Sequence, residues 1–115
     1  YDNFSREDYL CLLKNCDLII GNSSSGILEA PSFKKVAVNI GNRQKNRVKA
    51  ISTIDCSYNS ADIVKKINFS LSKKFKTKIK KAINPYGDGN SSKRILDILY
   101  KMKINDNLII KKITY

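Results

Sequence analysis

The residues best suited to chemistry lie in one stretch, positions 17–33, reading DLIIGNSSSGILEAPSF. An apolar run, a serine–glycine cluster and a lone glutamate follow one another. Serine hydroxyls and backbone N–H groups at the start of a helix suit phosphate oxygens, because the unsatisfied donors and the positive helix end point the same way. The dipole contributes about 0.3–1 kcal/mol, and each charge-assisted hydrogen bond about 1.5–3 kcal/mol. These considerations nominate Ser24, Ser25 and Gly26 as phosphate donors, with the glycine letting a ligand reach the backbone without a Cβ in the way. Glu29 needs a different partner, since a carboxylate beside a phosphate repels it. Its two acceptor oxygens match a pair of vicinal hydroxyls, as on a ribose. Phosphate donors followed by a diol acceptor describe a nucleoside diphosphate, and Arg43 in the next loop offers a further cationic contact. The segment is neither a Walker loop nor GxGxxG. The plain structural alternative is a serine-rich turn capping a helix, with Glu29 favoured there by the dipole. Spacing alone leaves both readings open.

The elements that position these residues are legible in the hydrophobic pattern. SREDYLCLLKNC opens with Ser5 as a helix cap and Asp8 three residues on, and Tyr9, Leu12, Leu13 and Cys16 fall on one face. Leu18, Ile19 and Ile20 read as a strand buried on both faces, ended by Gly21. A short helix over residues 25–30 should stop near Pro31. VAVNI, closed by Gly41, reads as a second buried strand, followed by the polar loop GNRQKNR and a third, weaker strand within residues 51–56. Ser60 and Asp62 begin a helix carrying Ile63, Val64, Ile67 and Leu71. NPYGDGN must be a loop, after which Ser91 or Ser92 caps a last helix with Ile95, Leu96, Ile98 and Leu99 facing inward. NLIIKKITY at the end reads as a strand or an extended arm. Alternating strands and helices mean an α/β fold with a parallel sheet. In such folds ligands sit beyond the carboxyl ends of the strands, where both suspicious loops lie.

The 115 residues suffice for one small domain. With about three strands and an opening in mid-unit, the chain reads as part of something longer, with strands missing upstream. It starts at Tyr1, with no leader in view and no apolar run long enough to cross a membrane, so no membrane partner is expected. Cys11, Cys16 and Cys56 lack CxxC spacing and the chain has no histidine, which argues against a disulfide framework or a zinc site and for reduced thiols in the cytoplasm. The net charge of +12 favours anions, with much of the excess in residues 65–81 and the tail. Lysine dominates over arginine and no arginine–aromatic stacking pattern accompanies it, which weakens a nucleic-acid reading.

Three ordered segments, GNSSSGILEAPSF, VAVNIGNRQKNR and NPYGDGNSSKRILDIL, resemble the C-terminal part of UDP-N-acetylglucosamine 2-epimerases, most closely the hydrolysing branch used for sialic-acid-type sugars. The resemblance implies a GT-B-like architecture of two Rossmann-like domains. Residues 1–104 would then be the C-terminal part of the UDP-binding domain, truncated at its N-terminal side, and residues 105–115 an arm. It places Ser23 and Ser24 near the diphosphate of UDP, Glu29 on the ribose and Arg43 near the nucleotide. In the family a proton leaves C2, UDP departs to give a 2-acetamidoglucal, and water adds to release N-acetylmannosamine; relatives act on a diacetamido sugar. Acidic side chains of the other domain and a histidine do the proton chemistry, so no catalytic residue is expected here, nor any metal or cofactor. The implied partners are the UDP-sugar, the N-terminal domain of the same enzyme and further copies in a homo-oligomer. Three positions depart from the family pattern: Lys34 stands where many members carry glycine, Val36 where many carry proline, and Asn46 for glycine in RQxGR. The rival readings are the donor-nucleotide domain of a GT-B glycosyltransferase, and a basic nucleic-acid-binding module.

Overall fold

A computed structural model of the chain describes residues 3–110. Helix α1 (Arg6–Asn15) begins at Ser5, whose Oγ accepts the Asp8 N–H at 3.1 Å and donates to Asp8 Oδ2 at 2.8 Å. Glu7 and Asp8 in its first turn and Lys14 in its last complement the helix dipole. Strand β1 (Leu18–Gly21) leads into the four-residue helix α2 (Ser25–Leu28) and a 3₁₀ turn (Ala30–Phe33), followed by β2 (Val36–Ile40) and β3 (Thr53–Cys56). The three strands are parallel in the order β1-β2-β3, with Gly21, Asn39 and Asp55 in one register row. Helices α3 (Ser60–Leu71) and α4 (Lys73–Ile79) come next, then the loop 80–90, α5 (Ser91–Lys101) and a short α6 (Asp106–Ile109).

Register explains the layering. Ile19 and Ala37 point to one face, where they meet Leu13, Ala30, Tyr9 and Phe33 of α1 and the 3₁₀ turn. Leu18, Val36 and Ile54 point to the other, where Phe75 and Ile79 of α4 cover them. The result is an α/β sheet wound on both faces, with β2 buried from Val36 to Asn39. No described helix is long and apolar enough to cross a membrane.

Several expectations need correction. Ile20 is 46% exposed, because β1 forms an edge of the described sheet and no described element covers that side chain. The buried stripe of α1 runs through Tyr9, Leu10, Leu13 and Cys16, leaving Leu12 exposed at its margin. Pro31 does not simply end a helix. Helix α2 closes at Leu28 and the proline sits in the first turn of the 3₁₀ segment, where its missing N–H is not needed. On α3, Ile63 and Ile67 are half-buried while Val64 and Leu71 face out, and the cap is Asn59, which accepts from Ala61 and Asp62 N–H. The inward face expected for α5 is not covered: Ile95, Leu96, Ile98 and Leu99 are all exposed, since an amphipathic stripe buries only where another surface meets it. Neither Ser91 nor Ser92 caps that helix; it follows Asn90, whose side chain makes no capping bond. Residues 106–109 form a helical turn instead of a strand, Ile110 after it is exposed, and residues 111–115 of NLIIKKITY lie outside the described residues.

Candidate functional site

The sheet's carboxyl end gathers the loops after β1 and β2. β1 closes at Gly21 with φ +140°, a conformation L side chains rarely adopt, and the chain turns there into Asn22, Ser23 and Ser24. The Ser24 carbonyl accepts the Ile27 and Leu28 N–H groups at 2.9 Å each, and the Ser25 N–H donates to Ser23 Oγ at 3.3 Å. Ser23 is exposed and Ser24 half-buried, so both stand at an open surface. Because α2 has only four residues, individual N–H and hydroxyl donors outweigh any summed dipole there.

The Ser25 hydroxyl faces Glu29, donating to its Oε2 at 2.5 Å. A carboxylate only accepts and a serine carries one proton, so the Tyr9 hydroxyl is the donor in its bond to Ser25 Oγ. Arg6 Nη1 meets the other carboxylate oxygen, Glu29 Oε1, at 3.3 Å. Glu29 is therefore held at both oxygens by α1 and α2, while a carboxylate's roughly four lone-pair sites leave acceptor capacity unused. Gly26 is buried, and a Cβ there would stand 3.0 Å from Ala37 Cβ. The close approach that selects glycine is therefore that of α2 to β2, with Thr53 Oγ1 donating to the Gly26 carbonyl at 3.5 Å beside it.

The second loop leaves β2 at Gly41, φ +76°. Gln44, almost fully buried, donates from Nε2 to the Asn22 carbonyl at 2.9 Å and so ties this loop to the serine-rich one. Its neighbour Arg43 is left exposed at the surface. Beneath the loop, Asn39 Nδ2 donates to Asp55 Oδ1 at 2.7 Å and Lys49 Nζ to Asp55 Oδ2 at 2.8 Å. Burial pushes the Asp55 carboxyl up, but the bonds from Lys49 and Asn39 and the lysine charge outweigh it and hold the group below its ordinary value. Among the described residues, Asn39 Oδ1 and Gln44 Oε1 are buried without a hydrogen-bond partner.

The loop 84–90 reaches the same region through its first residue. Asn84 Nδ2 donates to the Leu28 carbonyl at 2.8 Å and to Ser32 Oγ at 2.7 Å. Asp88 accepts from Arg94 at 2.6 Å and from the Asn90 N–H at 3.0 Å, which holds its carboxyl well below the usual range. The sequence reading thus missed Arg6, Tyr9, Gln44 and Asn84. Gln44 had a local signal, its place beside Arg43; the others act across 16 to 56 residues of chain. The basic segment 65–81 lies on α3, α4 and the turn after them, against the opposite face of the sheet from α1.

The profile of the family described as UDP-N-acetylglucosamine 2-epimerase matches residues 1–100. The polysialic acid biosynthesis protein P7 of Escherichia coli is 42% identical over 103 residues, covering 87% of this chain and 26% of the relative. The hydrolysing UDP-N,N'-diacetylbacillosamine 2-epimerase of Legionella pneumophila is 36% identical over 106 residues, 92% of this chain and 27% of that protein. The GDP/UDP-N,N'-diacetylbacillosamine 2-epimerase of Campylobacter jejuni is 47% identical over 62 residues, 54% of this chain and 16% of that protein. The chain spans about a quarter of the length of the first two relatives. A profile match over most of the chain, carried by a parallel α/β sheet with its loops at the carboxyl edge, shows that this chain belongs to the UDP-N-acetylglucosamine 2-epimerase family.

Proposed function

We propose that this chain is the UDP-binding portion of a hydrolysing 2-epimerase acting on UDP-N-acetylglucosamine or a diacetamido analogue. Ser23, Ser24 and the main chain through Ser25 and Gly26 take the diphosphate. Glu29, oriented by the Ser25 hydroxyl, takes the ribose diol, and Arg43 adds a positive charge beside the nucleotide. The substrate is the UDP-sugar, and the acid/base groups come from the remaining domain of the same cytoplasmic enzyme, itself a homo-oligomer. The chain by itself then binds the leaving group without turning substrate over. Held UDP stabilises charge that develops as the sugar–phosphate bond breaks, a contribution of the leaving-group site to catalysis.

The observation that carries this reading is Glu29: a half-buried carboxylate fixed at both oxygens, beside an open serine-rich turn at the carboxyl end of a parallel strand. A capping or packing role alone would not need two side chains from α1 on that network. The test is an amide NMR titration of the chain with UDP and then with inorganic pyrophosphate, which has the phosphates without the diol. Tighter binding of UDP, with shifts at residues 21–29 and near Arg43, and loss of that preference in Glu29→Ala, are expected. No response to UDP, or a preference that Glu29→Ala leaves unchanged, refutes the proposal.

A further inference from the structure

The turn-rich stretch NPYGDGN has no task in the nucleotide reading, yet its first residue makes the longest-range side-chain contact at the site. Asn84 spends both amide hydrogens there, on the Leu28 carbonyl at 2.8 Å and on Ser32 Oγ at 2.7 Å, and its Oδ1 accepts the Tyr86 N–H at 3.0 Å. The Leu28 carbonyl belongs to the peptide unit that carries the Glu29 nitrogen. At the other end of that unit the Glu29 N–H donates to the Ser25 carbonyl at 3.0 Å. The peptide leading into Glu29 is thus bonded on both sides, by α2 and by a loop 56 residues away. Lys34 Nζ also bonds the Ala82 carbonyl, fixing the approach of that loop. Arg6 then sets the carboxylate itself through Oε1.

We infer that Asn84 and Arg6 are positioning residues for Glu29, Asn84 fixing its backbone and Arg6 its carboxylate, so that both oxygens face a vicinal diol before the ligand arrives. The inference rests on the nucleotide reading above. A glutamate has three rotatable side-chain bonds, and a ligand that must order them binds more weakly than one meeting a fixed acceptor pair. The stapled loop converts a flexible side chain into a preset one. The Asn84 amide is taken up by protein groups, the Leu28 carbonyl, Ser32 Oγ and the Tyr86 N–H, so its effect on a ligand runs through Glu29.

The experiment measures the affinity of the full chain for UDP and for 2′,3′-dideoxyuridine diphosphate, which lacks the diol, by titration calorimetry. The unsubstituted protein should prefer UDP, and Glu29→Ala should abolish the preference. Asn84→Ala and Arg6→Gln should each weaken UDP by roughly 3- to 10-fold while leaving the dideoxy analogue unchanged. A merely structural role would weaken both ligands alike. Arg6 is exposed (72% for its side chain), so Arg6→Gln leaves the core intact and decides its own arm even if Asn84→Ala unfolds. In that event Asn84→Asp, which keeps the shape and loses the donor hydrogens, decides the other. A folded variant that keeps the full preference for UDP, or one that loses both ligands equally, removes that residue from the role. Should the unsubstituted protein show no diol preference, or Glu29→Ala keep it, the nucleotide reading itself fails. The two failures are therefore distinguishable.

Discussion

The packing of α2 on the sheet allows a quantitative test at Gly26. A methyl group there would lie 3.0 Å from Ala37 Cβ, closer than nearly all real contacts between such atoms. Ala37 is buried in the central strand and its Cβ is fixed to backbone, so it cannot swing aside; either α2 lifts or β2 bends. Overpacking of this kind costs about 1–3 kcal/mol. Against it stands the gain from a less flexible unfolded chain when glycine becomes alanine, about 0.4–1 kcal/mol. The balance for Gly26→Ala is a loss of about 1–2 kcal/mol, a factor of roughly 5–30 in the folded-to-unfolded ratio. Urea denaturation followed by circular dichroism reads it directly. The same lift moves Glu29, three residues on, away from Arg6, so UDP affinity should fall with stability. Ala37→Gly clears the space and should restore much of the loss in the double variant, giving a coupling of at least about 1 kcal/mol in a double-mutant cycle. Wild-type stability in Gly26→Ala, or additive effects in the pair, would refute the close-packing argument.

Two further predictions concern the second loop. Gly41→Ala forces a side chain onto φ +76°, at about 1–2 kcal/mol, and its Cβ would stand 2.6 Å from Tyr58 Cε1, so chemical-shift changes should reach Tyr58 and Asn42 as the ring swings outward; an unshifted Tyr58 counts against the geometry. Asp55 has its folded pKa depressed by Lys49 and Asn39, so its contribution to stability is present above the ordinary carboxylate value of about 4 and is lost as pH falls through the lower folded value. Lys49→Met should therefore be less stable than the parent near neutral pH and converge with it in strong acid. Parallel stability curves across that range would remove the ion pair from the account.

The close of the 3₁₀ turn illustrates how family pattern and physics meet. Lys34 occupies φ +54°, a left-handed backbone, at the position where the resemblance expects glycine. Its N–H caps the turn onto Pro31 at 3.1 Å, so the conformation is retained although the residue that suits it best is absent.

What the sequence determined by itself is local. Ser5 with Asp8 marked the start of α1, Gly21 and Gly41 marked the ends of β1 and β2, and unbroken apolar runs marked strands of a parallel sheet. These are short-range matters of capping, backbone freedom and hydrophobic period, and they suffice to put the serine-rich turn and Arg43 at the carboxyl edge. Burial was a different matter. The apolar pattern of α5 is the pattern of a covered helix, yet its Ile95 and Leu99 are exposed, because amphipathicity states which face would pack and not what lies against it. The same holds for Ile20 at the sheet edge. Tertiary structure alone decided the constellation around Glu29. Arg6, Tyr9 and Asn84 are polar residues scattered along the chain, each with an ordinary surface or turn role in its own neighbourhood. Only the folding of α1 and of the loop 84–90 against the segment from α2 to the 3₁₀ turn brings their donors there. Hydrogen bonds have no sequence period, so a network of them becomes visible only once the chain has folded.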